Sequence, residues 1–368
     1  MYRYFLIHAI RIILPFVFIK TLSQSYTVPE VAIWLEFLLY FQFAMQITES
    51  GVSLSGPLIF QKNGAFKNVL NSILKFQINI GLIICLLFLI FFPSTINFVA
   101  VIAGIFHGLS LTWVFRFKEL HNLWFNSEFI FRTLLYSFLF VGLFNQVNIL
   151  YLSLIFLVFS IKWFFLVTVY IYKKHIPTKN FNFEYLKLIS EGTALKYLAT
   201  FLYPGLILIG GNFFTYSDLH VLQIDKIIQG ARGVFGPIID FLFPKSIKAK
   251  QSFKSKSLII CFGAMLSIAL IIFLPLILYL LFDLKIERSF FMYVYATVPF
   301  LLSITHVFGT LGLVVKNRIK VYLFLFVISI LSAFILLYIK NITGFIVLPY
   351  LVLSLGLIIN FLWKKIKQ

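Results

Sequence analysis

Ile149-Leu-Tyr-Leu-Ser-Leu-Ile-Phe-Leu-Val-Phe-Ser-Ile-Lys162-Trp-Phe-Phe-Leu-Val-Thr-Val-Tyr-Ile-Tyr172 carries one formally charged side chain, Lys162, in a run otherwise dominated by apolar residues. A helix needs about 20 such residues to cross the hydrocarbon core of a bilayer. The run does not alternate apolar with polar residues, as a barrel strand would, so its backbone groups must be satisfied within a helix. It ends at Lys173-Lys174 and begins just after Asn145-Gln-Val-Asn148.

Working outward, the same pattern recurs along the chain. Twelve segments are predicted as spans, at about 5–22, 30–58, 74–93, 96–115, 127–144, 148–172, 189–212, 218–245, 256–282, 289–314, 319–339 and 343–363. The composition agrees: 61% hydrophobic, 12% charged and a mean hydropathy of +1.01 exclude a set of soluble domains. A formal charge of +19 would fit a nucleic-acid binder, but its placement does not. With the N-terminus in the cytoplasm, 21 Lys and Arg fall on inside segments and four on outside ones, which are Lys20, Lys285, Arg288 and Lys340. This asymmetry predicts an even number of spans with both ends inside. Met1-Tyr-Arg-Tyr-Phe-Leu runs into apolar sequence without a small-x-small cleavage site, which predicts an uncleaved first span.

The longest inside connection, 173–188, falls near the middle and contains Lys173-Lys174-His-Ile-Pro177. The expected organisation is therefore an N-terminal six-helix lobe (1–172), a cytoplasmic linker (173–188) and a C-terminal six-helix lobe (189–368). Faint echoes link the halves. Pro15 in the first span answers Pro204 in the seventh, and a Gly/Pro-interrupted second span answers the eighth. Repeats of this kind are common in secondary transporters, whose sites lie at the repeat interface.

Six basic side chains remain inside the spans: Arg11, Arg132, Lys162, Lys196, Lys226 and Arg232. A cation in hydrocarbon costs about 2.5–3.5 kcal/mol on insertion scales, so such groups are expected to face protein or a wet cavity, where they can meet an anion. The eighth span is the most polar. At helical spacing Asp225, Gln229, Arg232, Gly236 and Asp240 share a face, readable as cavity lining or as structural ion pairs. In the first span His8, Arg11 and Pro15 share a face, and Pro15 frees a backbone carbonyl; His8 alone is read as packing near the cytoplasmic rim. In the second, Glu49-Ser-Gly51-Val-Ser-Leu-Ser-Gly56-Pro57 is a breakable end, where Glu49 could titrate or cap a helix break. Glu36 also stands in this span, at moderate depth. Glu128 and Arg132 are four apart and could pair on one helix. Lys162 could snorkel along its stem. The expected hinges are Pro15, Gly51, Pro204 and Pro237.

Cys85 and Cys261 lie in apolar runs without ligand-like neighbours, so neither a disulfide nor a metal site is expected. No Ser/His/Asp set, phosphate loop or metal spacing stands at a water-facing position. The chain is accordingly read as a non-enzyme without cofactor.

Several stretches resemble the O-antigen and polysaccharide flippases, the Wzx type, of the multidrug/oligosaccharidyl-lipid/polysaccharide exporter superfamily. They are Ile10-Arg-Ile-Ile-Leu-Pro15, Gln46-Ile-Thr-Glu-Ser-Gly51-Val-Ser-Leu-Ser55, Thr112-Trp113-Val-Phe115-Arg-Phe-Lys118-Glu119, and Asp225-Lys226-Ile227 followed by Pro237 and Phe243-Pro244. Their order along nearly the whole chain is more specific than any one of them. The third departs from the family pattern, with Phe117 where a glycine is usual, and the outside loops are very short.

The resemblance implies an all-α integral membrane protein of about 12 transmembrane helices, in two six-helix lobes around a central cavity, MATE-like in architecture. It implies a bacterial inner-membrane location and movement of undecaprenyl-pyrophosphate-linked O-antigen oligosaccharide repeat units from the cytoplasmic to the periplasmic leaflet by alternating access. The implied partners are that lipid-linked oligosaccharide, membrane lipids, and an O-antigen polymerase with its chain-length regulator; nucleic acid is not among them. The six cations would meet the pyrophosphate, while Glu49, Asp225, Gln229 and Asp240 would serve coupling or polar roles. Two rivals stand beside this. A multidrug MATE-like antiporter predicts the same fold but, for organic cations, an acidic interior. An O-antigen polymerase needs a substantial outside loop, and none here exceeds about ten residues on this span assignment.

Overall fold

The computed structural model describes residues 2–52, 66–91, 94–110, 112, 114, 121–174, 183–211, 220–235, 238, 253–284, 289–314, 318–338 and 341–366. Within them the chain forms helices: α1 (Tyr2–Ser25), α2 (Val28–Glu49), α3 (Phe66–Phe91), α4 (Thr95–Leu109), α5 (His121–Phe144) and α6 (Ile149–Lys174). Then come α7 (Phe183–Thr200, continued by Phe201–Gly205 and Leu206–Gly210), α8 (Val221–Gly233) and α9 (Phe253–Phe282). Last are α10 (Phe290–Ala296, Val298–Ile304 and Thr305–Val314), α11 (Ile319–Tyr338) and α12 (Ile342–Ile366). These follow the order of the twelve expected spans, and no strand occurs among the described residues.

Among the described residues, seven stretches are long and apolar enough to cross a membrane by themselves: Val28–Glu49, Asn126–Phe144, Ile149–Ile171, Lys256–Phe282, Phe290–Leu313, Ile319–Leu336 and Ile342–Trp363. Their outer faces explain the composition. Ile268 and Ile272 on α9, Leu331 and Ile335 on α11, and Leu355 and Ile359 on α12 recur at helical spacing and are all exposed. Apolar area on this scale is tolerated only where the solvent is hydrocarbon, so this is a multi-pass membrane protein.

The helix ends differ from the sequence expectation where local chemistry intervenes. At its start, the Thr27 backbone N–H and hydroxyl both donate to Glu30 Oε2, at 2.9 and 2.7 Å, which fixes the first turn of α2. The second span was expected to reach 58, but α2 stops at Glu49. Ser50 (φ 52°) and Gly51 (φ +64°) turn left-handed there, a conformation that glycine adopts without a Cβ penalty. A Cβ on Gly51 would also stand 2.1 Å from the Gly192 carbonyl oxygen, so α2 ends hard against α7. The α7 helix begins at Phe183, inside the expected linker, of which 175–182 lie outside the described residues.

The chain forms two compact units, Met1–Thr200 and Phe201–Gln368. In the first, α2 packs on α4 more extensively than any other pair of elements. The cause is the pair Gly104 and Gly108, one turn apart. A Cβ on Gly104 would meet Phe41 O at 2.4 Å, and one on Gly108 would meet Met45 O at 2.5 Å. Small residues at this spacing let two backbones touch, which is how helices associate where lipid removes the usual hydrophobic drive. The contacts advance along both helices together, so α2 and α4 run parallel, as an intervening crossing by α3 requires. Buried Phe18, Trp34 and Phe37 with half-buried Phe41 and buried Phe156 fill the neighbouring core; Trp34 stacks on Phe37 at 5.0 Å between centroids.

In the second unit α11 packs along α12, and α9 along the middle of α10. Two π-helical stretches interrupt regular winding: Phe201–Gly205, around Pro204, and Thr305–Val314. Proline removes one helical donor, and the buried Tyr350 hydroxyl donates to Leu202 O at 3.3 Å beside it. At the second stretch the Tyr322 ring fills the space over Gly309, where a Cβ would lie 2.3 Å from Cζ. Such π turns often mark functional positions.

Candidate functional site

Polar clusters stand in both units. In the first, Glu128 on α5 is 1% exposed, and both of its oxygens are engaged. Arg132, one turn along, donates Nε to Oε2 at 2.8 Å, and Arg11 of α1 brings Nη2 to 3.6 Å from Oε1. Two guanidiniums thus share one carboxylate. Arg11 is 31% exposed and Arg132 14%, so neither guanidinium is sealed in. Sequence spacing anticipated the Glu128–Arg132 pair but not that Arg11 would join it across two helices.

The second pair in this unit is Lys196 on α7 with Glu49 at the end of α2, 3.1 Å apart and each over a fifth exposed. The helix break at Ser50–Gly51 positions Glu49. Thr193 Oγ1 donates to Ser50 O at 2.8 Å, and Gln77 Nε2 donates to Glu49 O at 3.2 Å, so the orphaned carbonyls are satisfied. The helix thus ends at Ser50–Gly51, with the Glu49 carboxylate paired to Lys196 beside the break. His107, on α4 between the two packing glycines, is within electrostatic range of Glu128, Arg132, Arg11 and Glu49 and lies against Phe41 and Phe131. It stands within electrostatic range of both pairs without bonding to either one among the described contacts.

In the second unit Asp225, 2% exposed, is held on both oxygens by neutral donors. Tyr295 of α10 donates to Oδ1 at 2.5 Å, and Gln229 donates to Oδ2 at 2.8 Å. Lys226 reaches Gln229 Oε1 at 3.3 Å, and Arg232 lies 5.8 Å from the Tyr350 ring centre, a cation–π contact. The eighth-span stripe thus turns into protein over 225–232, where Asp225 acts as the buried acceptor of a hydrogen-bonded group. Gly236, Pro237 and Asp240 lie outside the described residues, as do Trp113 and the 115–120 part of its motif; of His8 only the backbone is described.

Lys162 departs from the expected set. It is exposed on α6, in an apolar groove with Phe138, Val158 and Leu166, rather than in either cluster. Trp163 and Val167, buried beside it, form the floor of that groove, while Lys162 stays exposed. Pro15 is accommodated within continuous α1, and Pro204 within its π turn.

Sequence reading missed His107, Tyr295, Tyr350 and Gln77. His107 carried a usable signal, a titratable ring inside an apolar run flanked by small residues. The two tyrosines carried none, because an aromatic hydroxyl in so aromatic a chain is indistinguishable from packing until its partner is known.

The arrangement offers electrostatic binding and proton or ion exchange at buried carboxylates. Among the described residues no group of three or more His, Cys, Asp or Glu side chains could hold a metal ion.

An outward-facing multidrug resistance MATE family transporter of the MOP superfamily superposes with a TM-score of 0.60 at 13% identity, covering 99% of this chain and 94% of that one. The fold is that of the MATE transporters. The eukaryotic MATE transporter AtDTX14 gives a TM-score of 0.60 at 13% identity over 99% of this chain and 93% of its own. A MATE protein in the straight conformation gives 0.57 at 11% over 98% and 93%. No protein-family profile matches the chain, and no curated protein matches it.

Proposed function

We propose that this chain is a multi-pass transporter of the MATE architecture whose substrate carries an anionic headgroup. The observation that carries the substrate class is the meeting of two guanidiniums, Arg11 and Arg132, at one buried carboxylate, Glu128, with both guanidiniums keeping part of their surface exposed. Planar guanidinium groups suit bidentate contact with phosphate. Their attraction for it strengthens as water is excluded.

The finer reading is a flippase for an oligosaccharide linked to undecaprenyl pyrophosphate. Polar sugars and a diphosphate cross hydrocarbon only at prohibitive cost, so a cationic polar route lowers the barrier that matters. The ordered sequence resemblance to the Wzx type supports this reading, with both termini cytoplasmic and the inner membrane as its location. Asp225 and Glu49 are the proposed coupling groups, with Asp240 as a third.

A second reading is favoured by the fold comparison itself: the solved neighbours are MATE transporters, one of them named for multidrug resistance. Taken alone, that comparison supports a MATE-like drug antiporter better than a flippase. The two differ in the charge they require, since partly exposed guanidiniums such as Arg11 and Arg132 suit an anion rather than an organic cation.

Gene deletion with complementation tests the choice. The flippase reading expects loss of surface polysaccharide and build-up of lipid-linked repeat units facing the cytoplasm, restored by wild type and not by Arg11→Ala/Arg132→Ala. Unchanged polymer with new sensitivity to organic cations would select the antiporter.

A further inference from the structure

The groove that holds Lys162 lies outside both polar clusters. It runs between α5 and α6, has a volume of about 1010 Å³, and extends from Asn145 and Tyr151 at one end to Leu123 and Tyr170 at the other. The helical rise from Tyr151 to Tyr170 is about 28 Å at 1.5 Å per residue, close to the roughly 30 Å of a bilayer core. Lys162 therefore stands near mid-depth. Its ammonium is 5.9 Å from the centre of the Phe159 ring, and no acidic residue is among the described residues that line the groove.

A headgroup resting at either membrane surface lies about 15 Å from the mid-plane. Lysine snorkels by extending its stem, but from mid-depth the ammonium cannot reach that layer without leaving the groove. An anion that comes to mid-depth would relieve it. A lipid phosphate passing between leaflets does so, with its hydrocarbon chain remaining in an apolar channel.

We infer that the α5–α6 groove is a binding track for the polyprenyl phosphate portion of the substrate, with Lys162 pairing with the phosphate half-way across. This rests on the lipid-linked reading above. The groove's apolar walls take the chain, its membrane-wide length accepts a chain longer than one leaflet, and its single cation meets the phosphate. Arg11 and Arg132 keep the headgroup role given them above, and Lys162 adds a further phosphate contact along the path. Glycerophospholipids, whose acyl chains fill one leaflet, would occupy the groove without selectivity.

The test uses the full-length protein in nanodiscs of phosphatidylcholine, with a long-chain polyprenyl phosphate as probe and phosphatidylglycerol as competitor, read by native mass spectrometry. The expected result is retention of the polyprenyl phosphate, at least tenfold weaker in Lys162→Ala, preserved in Lys162→Arg, and lost in Val158→Trp, which fills the groove while keeping the charge. Equal retention in wild type and Lys162→Ala, or equal displacement by phosphatidylglycerol, would overturn the track. The flippase reading is scored separately, by translocation of the sugar-bearing lipid in wild-type vesicles. Binding without translocation would sink that reading and leave the groove. Translocation with no Lys162-dependent binding would do the reverse.

Discussion

Arg11 and Glu128 meet at 3.6 Å although 116 residues of chain separate them, and Glu128 is at the same time bound by Arg132. Neutralising this carboxylate and removing either arginine are therefore not equivalent. One exposes two like charges to each other, whereas the other leaves a simple ion pair.

Glu128→Gln is predicted to destabilise the protein by about 3–5 kcal/mol, the usual cost of orphaning a buried charge partner. Arg11→Ala removes the more exposed partner and should lower stability by about 1 kcal/mol or less while abolishing transport of the anionic substrate. Thermal unfolding in detergent, set beside a transport assay, checks both. Equal stability loss in the two variants would show that Arg11 is structural.

Gly104→Ala is predicted to separate α2 from α4, since the added methyl would lie 2.4 Å from a backbone oxygen. Overpacking of this kind costs about 1–3 kcal/mol. Gly344, whose nearest neighbour is the flexible end of Leu336, is the control and should tolerate alanine better. Folded yield by size-exclusion chromatography separates the two.

Tyr295→Phe removes one of the two hydroxyl or amide donors seen on Asp225 and should cost about 1.5–3 kcal/mol, typical of a hydrogen bond to a charged group. Asp225→Asn keeps the shape and removes the charge. The coupling role proposed for Asp225 predicts that this variant still binds substrate but no longer responds to an imposed pH gradient. A gradient response equal to wild type would exclude Asp225 from coupling.

The span pattern was legible because hydrocarbon imposes a length and an apolarity that few sequences meet by accident, as Ile149–Lys174 illustrates. The Glu128–Arg132 pair was legible because helical spacing alone brings those side chains together. Arg11 joining them, Lys196 meeting Glu49, and Tyr295 closing on Asp225 were not, since each depends on which helices pack. Gly104 and Gly108 could have announced the α2–α4 contact, because glycines one turn apart in an apolar helix have that physical meaning. Lys162 went to the outer face because sequence gives a charge its depth but not its azimuth.

The most direct measurement is translocation in proteoliposomes of a fluorescent pyrophosphate-linked glycolipid, followed by chemical quenching of the outer leaflet, with a fluorescent organic cation in parallel. The account predicts passage of the glycolipid, at least tenfold slower in Arg11→Ala/Arg132→Ala at equal folded protein, and no passage of the cation. Transport of the cation by wild type with the glycolipid held in its original leaflet would contradict it.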